Sequence, residues 1–79
     1  MGQIVAKAFV LIETAVGKTK EVVSSLEQVE GLKSVNTVTG PYDVIATIEA
    51  DSLSEIGDVV TGKVHAISGI SRTVTCLVV

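Results

Sequence analysis

Cysteine is nearly missing from this chain: Cys76 stands alone, which excludes an internal disulfide. Histidine is just as scarce, with only His65, so no Cys/His cluster exists to hold a structural zinc ion. Long apolar runs are lacking too. The longest, Ala8-Phe9-Val10-Leu11-Ile12, is far short of the ~20 residues a membrane-spanning helix needs. No basic segment precedes a long apolar stretch at the start, so no signal peptide is expected and the location is expected to be cytoplasmic. Basic charge is sparse: six Lys and Arg are scattered through a chain of net charge −3 and form no stripe to track a phosphate backbone. Tryptophan is absent, and Phe9 and Tyr42 are the only aromatic residues.

What the chain does have is apolar mass. Of its 79 residues 47% are hydrophobic, and the mean hydropathy is +0.57. This length accommodates one domain, residues 1–79, and no second. A domain this small buries only about 60% of the surface its unfolded chain exposes, so its core is marginal. Disulfides, metals and self-association are the usual remedies. With the first two excluded, a homo-oligomer is expected.

Residues 4–13 alternate, with Ile4, Ala6, Ala8, Val10 and Ile12 in one phase and Val5, Lys7, Phe9, Leu11 and Glu13 in the other, which predicts a strand. Thr14 to Gly17 breaks it. From Lys18 to Glu30, Val22, Val23, Leu26 and Val29 fall at helical spacing, and Gly31 suits the stop, where positive φ is needed. Leu32 to Thr39 is a second β-prone run, Gly40-Pro41 is a turn, and Tyr42 to Ala50 is a third strand. Ser52 with Glu55 forms a capping box before a second helix that runs to His65 and buries Leu53, Ile56, Val60 and Val64. Gly57 and Gly62 weaken that helix by roughly 1 kcal/mol each relative to alanine. Ser68 to Ser71 turns the chain into a last strand, Arg72 to Val79. The order βαββαβ predicts an α+β, ferredoxin-like fold: a four-stranded antiparallel sheet with both helices on one face.

The fully apolar phases (Ala8, Val10 and Ile12; Val44, Ala46 and Ile48; Val74, Cys76 and Val78) suit the face under the helices. The opposite face then carries Phe9, Leu11, Ile45, Leu77 and Val79, interleaved with Lys7, Asp43, Thr47, Thr73 and Thr75. Such a patch is near the size that usually marks an interface, and covering it at about 25 cal/mol per Å² is worth several kcal/mol; the alternative is a solvated sheet face with scattered hydrophobes. A dimer formed sheet to sheet, or a larger assembly, is expected.

Four stretches invite a chemical reading. Gly17-Lys18-Thr19 suggests a phosphate loop, but that loop needs a glycine where Ile12 stands, so a turn before a helix is the better account. His65 at a helix end and Cys76 within a strand read as a dipole complement and a small buried hydrophobe; no nucleophilic constellation recurs, and no catalytic residue is assigned. Asp51, Glu55 and Asp58 near a helix start are ordinary dipole complements, and neither a metal nor a cofactor is expected. Gly40-Pro41-Tyr42-Asp43 is richer. It sets a phenol, a carboxylate and free backbone N–H groups together at a hairpin, where they suit the ammonium and carboxylate of a small zwitterion, with Thr73 or Thr75 adding hydroxyls. Packing of Tyr42 and turn capping by Asp43 explain the same residues equally well.

Gly40-Pro41-Tyr42-Asp43 followed by Val44-Ile45 resembles the Gly-x-Tyr-Asp-hydrophobic signature of the Lrp/AsnC ligand-binding domain, also called the regulation of amino-acid metabolism (RAM) domain. The likeness covers the whole chain, from the strand Ala8 to Thr14, through Gly17-Lys18 opening the first helix, to Ile67–Thr75 entering the last strand. The resemblance implies dimers with facing sheets that assemble into rings such as octamers or decamers, and amino-acid effectors bound between dimers near the hairpin. By position, Gly40, Tyr42 and Asp43 would shape that site, with Thr73 and Thr75 as weaker contributors. Typical members carry an N-terminal helix-turn-helix, whereas this sequence starts at the first strand. The expectation is a stand-alone sensing domain, not an enzyme, that reaches transcription by co-assembling with full-length Lrp/AsnC regulators and does not itself bind DNA or membrane. Two competitors are a small dimeric α+β barrel enzyme, which needs a deep pocket with a nearby His, Trp or Arg, and a purely structural assembly domain.

Overall fold

The computed structural model describes residues 5–79. Ile4, assigned from sequence to the first strand, lies outside the described residues. The elements are β1 (Ala6–Thr14), α1 (Thr19–Leu26), β2 (Leu32–Thr37), β3 (Val44–Ala50), α2 (Leu53–Val59), a π-helical turn at Val60–Val64 that continues α2, and β4 (Ile70–Leu77). The strands form one antiparallel sheet in the order β2-β3-β1-β4, the expected ferredoxin-like arrangement.

Alternation in the central strands sets the core. Ala8, Val10 and Ile12 of β1 stand opposite Ile48, Ala46 and Val44 of β3. All six are fully buried and join Val22 and Leu26 of α1, Ile56 of α2, and Val60 and Val64 of the π turn. Leu53, expected in this set, is 60% exposed in the first turn of α2.

Both helices depart from their expected lengths for local reasons. α1 ends at Leu26, not Glu30, because Gln28 and Val29 donate to the carbonyls of Ser25 and Leu26 at 3.1 and 3.0 Å. These tight i→i−3 bonds use up the last carbonyls and turn the chain out of the helix. α2 widens where its glycines weaken it: His65 N donates to Val60 O at 2.9 Å, an i→i−5 bond, and the Thr61 hydroxyl bonds back to Gly57 O at 2.8 Å. Gly69 joins the two halves of the domain. Its φ of +99° is natural only for glycine, and a Cβ there would lie 3.0 Å from Val22 Cγ2 and 3.2 Å from Lys18 Cβ. Its carbonyl accepts from Ala15 N at 2.8 Å, tying the turn after β1 to the turn before β4.

The orientation of β4 differs from the sequence-based expectation. Ile12, Val10 and Ala8 stand opposite Thr73, Thr75 and Leu77, while Leu11 and Phe9 stand opposite Val74 and Cys76. Cross-strand partners share a face, so Thr73, Thr75 and Leu77 lie on the helix side and Val74 and Cys76 on the helix-free side. Cys76 is exposed, not buried as its alternation suggested. The physical reason is that β4 is an edge strand. On the helix side its distal half is uncovered, and Leu77 there remains 48% exposed. The apolar phase of β4 therefore serves the other face.

Candidate functional site

Two features of the sheet carry functional interest: its helix-free face, and one end where the β2–β3 hairpin meets β4. On the helix-free face Phe9, Val74 and Val78 are 37%, 36% and 50% exposed, and Leu11 and Ile45 are half-buried between them. Val78 joins this face through its N–H, which donates to Lys7 O at 2.9 Å. Thr47, opposite Phe9, is buried on this face, and the charged residues Lys7, Glu49, Glu13 and Arg72 share it by register. Lys7 reaches Glu49 at 3.9 Å and lies 5.4 Å from the centre of the Phe9 ring. The phase of β4 gives this face Val74, Cys76 and Val78 in place of Thr73, Thr75 and Leu77, so it stays largely apolar along β4 with a different set of residues from those expected.

At the hairpin, Val38 N donates to Asp43 O at 2.9 Å, and Gly40 adopts φ +125° in the turn. Asp43 faces back toward β1. Its N–H donates to Ile12 O at 2.9 Å, and its Oδ2 accepts from Thr14 N at 2.9 Å and from the Thr14 hydroxyl at 3.2 Å. The Thr14 hydroxyl also contacts that of Thr19, the first residue of α1, at 2.8 Å. One carboxylate thus holds the hairpin, the end of β1 and the start of α1 together. Asp43 Oδ1 takes no part in those bonds.

Tyr42 reaches further. Its hydroxyl accepts from the Arg72 guanidinium at 3.0 Å, with the guanidinium 5.8 Å from the ring centre. Because β1 lies between β3 and β4, the pair spans about two inter-strand spacings, close to 10 Å of sheet. Arg72 stands opposite Glu13. The hydrogen bond to the Tyr42 hydroxyl, with the Glu13 carboxylate nearby, raises the Arg72 pKa further above its ordinary value, so the guanidinium is cationic. Ser71 donates to Glu13 O at 3.0 Å, fixing the β1–β4 edge beside it.

Gly40, Tyr42 and Asp43 therefore come together. Thr73 and Thr75 lie on the helix side, away from Arg72. There the Thr73 hydroxyl is 3.2 Å from His65 Nε2, while Thr75, opposite Val10, is exposed. Sequence reasoning missed Arg72, although a signal was present: it is the only arginine of the chain and sits in a strand otherwise made of Thr, Val and other uncharged residues. A shallow cavity of about 210 Å³ lies elsewhere, between the end of α1 and β2, lined by Leu26, Val29, Leu32 and Val35 with Glu27 and Lys33 at its edge. It includes none of the hairpin residues. Among the described residues no group of three His, Cys, Asp or Glu side chains is placed to hold a metal ion, and no helix is long and apolar enough to cross a membrane.

The fold has its counterpart among known proteins. Residues 7–79 match the profile of the Lrp/AsnC ligand binding domain, and the chain belongs to that family. An uncharacterised HTH-type transcriptional regulator of Pyrococcus furiosus is 35% identical over 71 residues, covering 86% of this chain and 47% of that protein. The chain thus spans about half the length of this curated relative. A homocitrate synthase of Sulfurisphaera tokodaii is 32% identical over 60 residues, covering 76% of this chain but only 13% of the enzyme. Among solved structures, a Thermus thermophilus protein superposes with a TM-score of 0.88 at 31% identity, covering 94% of this chain and 92% of its own. A Neisseria meningitidis transcriptional regulator, solved as a complex with L-Met, shares the fold at a TM-score of 0.82 and 14% identity, covering 94% of this chain and 49% of its own.

Proposed function

We propose that this domain is an effector-sensing and oligomerisation module. Copies pair through their helix-free sheet faces, the pairs assemble further into rings, and a small molecule of the amino-acid class binds where pairs meet, near the Gly40–Asp43 hairpin. The observation that carries this is the phase of β4: its apolar residues Val74, Cys76 and Val78 join Phe9, Leu11 and Ile45 on the face with no helices. A monomer rarely exposes a contiguous apolar patch larger than a few hundred Å². Covering it at about 25 cal/mol per Å² contributes several kcal/mol, comparable with the whole stability of a small domain.

Effector binding is supported by family membership and by the L-Met complex of the Neisseria regulator. Transcriptional regulators among the relatives support a route to transcription in the cytoplasm, through co-assembly with full-length regulators that present a like sheet face. A catalytic role is not proposed. The homocitrate synthase shares only 13% of its length with this chain, a share that suits an accessory module better than a reaction centre. A thermal-shift screen of the common amino acids tests the sensing role. A ligand at 100 times its Kd stabilises the fold by about 2.7 kcal/mol, which raises the Tm of a domain this size by on the order of 10 °C. If no amino acid moves the Tm, the domain is an assembly element without a sensor.

A further inference from the structure

Two apolar features belong neither to the helix-free face nor to the hairpin, and they sit at opposite ends of α1. Before the helix, Val16 stands fully exposed at the tip of the turn that follows β1. That turn is fixed: Lys18 N donates to Ala15 O at 3.0 Å, Ala15 N donates to Gly69 O at 2.8 Å, and Gly17 takes φ +78°. A β-branched side chain on a fixed turn has little freedom left to lose on contact. After the helix lies the cavity of about 210 Å³ walled by Leu26, Val29, Leu32 and Val35. Since a water takes about 30 Å³ of liquid, this space admits a three-carbon side chain. The eight residues of α1, at 1.5 Å each, set the valine and the cavity about 12 Å apart. One copy therefore cannot fill its own cavity with its own Val16.

Charge along α1 is arranged against the helix macrodipole. Lys18 is the N-cap and Lys20 lies in the first turn, while Glu27 is the C-cap and no basic residue occupies the last turn. Cations are disfavoured at a helix start and anions at a helix end. Lys18 is offset by Glu21 at 3.6 Å, but neither Lys20 nor Glu27 has an ion-pair partner among the described residues. Both are exposed. Glu27 lies at the edge of the cavity with Lys33, and Glu30 follows Val29 of its wall. An exposed apolar knob beside an unpaired cation thus matches an apolar cavity beside an unpaired anion, each at its own end of one helix.

We infer that Val16 of one copy seats in the α1–β2 cavity of another, with Lys20 of the first facing Glu27 of the second, so that copies join head to tail through the two ends of α1. This rests on the pairing of sheet faces proposed above and names the second contact, the one that extends pairs. A head-to-tail contact closes into a ring when its rotation permits. One valine and one ion pair are too little to hold free copies together. They suffice for pairs, each of which brings two knobs and two cavities. The contact also accounts for Gly17-Lys18-Thr19, a motif that serves no phosphate loop: its glycine shapes the turn that presents Val16. The Thr14–Thr19 contact at 2.8 Å, continued to Asp43, ties this turn to the hairpin.

The experiment follows mass in solution against protein concentration for wild type, Val16→Asp, Lys20→Glu, Glu27→Lys and the double change Lys20→Glu with Glu27→Lys. Circular dichroism checks the fold of each. Wild type is expected to exceed the mass of a pair, twice 8.2 kDa, and Val16→Asp to stop at it. Each single charge change should move dissociation into pairs to a higher concentration, by about two- to fivefold per contact. The double change should restore the wild-type midpoint, because the exchanged charges face each other again. If Val16→Asp fails to fold, the charge exchange decides. Assembly of folded Val16→Asp as wild type, or a double change no better than either single one, overturns the head-to-tail contact. A wild type that stops at a pair overturns it too but leaves the sheet pairing standing, whereas a wild-type monomer removes both.

Discussion

Removing the Asp43 carboxylate should loosen one whole end of the domain. Asp43→Ala deletes the acceptor of the Thr14 backbone N–H at 2.9 Å and of its hydroxyl at 3.2 Å. A hydrogen bond to a charged acceptor contributes about 1.5–3 kcal/mol, and the half-buried position puts this one at the low end. The longer second bond adds about 0.5–1 kcal/mol. The expected loss is therefore about 2–3 kcal/mol, against a total of about 4–12 kcal/mol for a chain of this length. With an m-value near 1 kcal/mol per M, the urea midpoint should fall by about 2–3 M. Asp43→Asn keeps an acceptor without its charge and should lose about 1 kcal/mol. Thr14→Val combined with Asp43→Ala should lose less than the sum of the single changes, because both remove the hydroxyl contact. Protein concentration must be held fixed, since assembly adds to apparent stability. An Asp43→Ala midpoint equal to wild type would refute the clamp and return Asp43 to the role of a free ligand-binding carboxylate.

Two further outcomes follow from the fold and its faces. Gly69→Ala should cost about 2–4 kcal/mol, since it meets both positive φ and contacts of 3.0 and 3.2 Å. Gly17→Ala, with φ +78° but open space around it, should cost only about 1 kcal/mol, both read from urea midpoints; equal losses would show that the close approach to Val22 is relieved without cost. Cys76 is exposed on a single copy but lies on the face assigned to pairing, so thiol labelling should be slow at high protein concentration and speed up on dilution. A concentration-independent rate would place Cys76 outside any interface.

Much of the architecture was legible in the residues because local and global signals agree. The apolar phases of β1 and β3 are the buried ones, as their alternation says, although Thr47 of the other β3 phase is buried as well. The Ser52 cap is present, with Glu55 N donating to Ser52 Oγ at 3.2 Å, although Glu55 reaches back to Asp51 N at 3.1 Å, one residue beyond the expected partner. The face of β4 was not legible. Alternation separates two phases without saying which lies under the helices, and an edge strand beyond their cover reverses the assumption that the apolar phase does. Nor was the Tyr42–Arg72 contact, which joins residues 30 apart in sequence and exists only because the sheet order places β1 between β3 and β4. The hairpin residues were found from their motif, but the division of labour between Asp43 and Tyr42 depends on partners that sequence spacing does not supply.

The most direct measurement is the mass of the protein in solution by light scattering after gel filtration, for wild type and for Phe9→Glu and Val74→Glu on the helix-free face. The pairing of sheet faces requires wild type to run as a multiple of 8.2 kDa at micromolar concentration, and both variants to fall to that single mass while keeping the far-UV circular dichroism of the folded domain. A folded wild-type protein of 8.2 kDa, or an assembly unchanged by either charge, would contradict it.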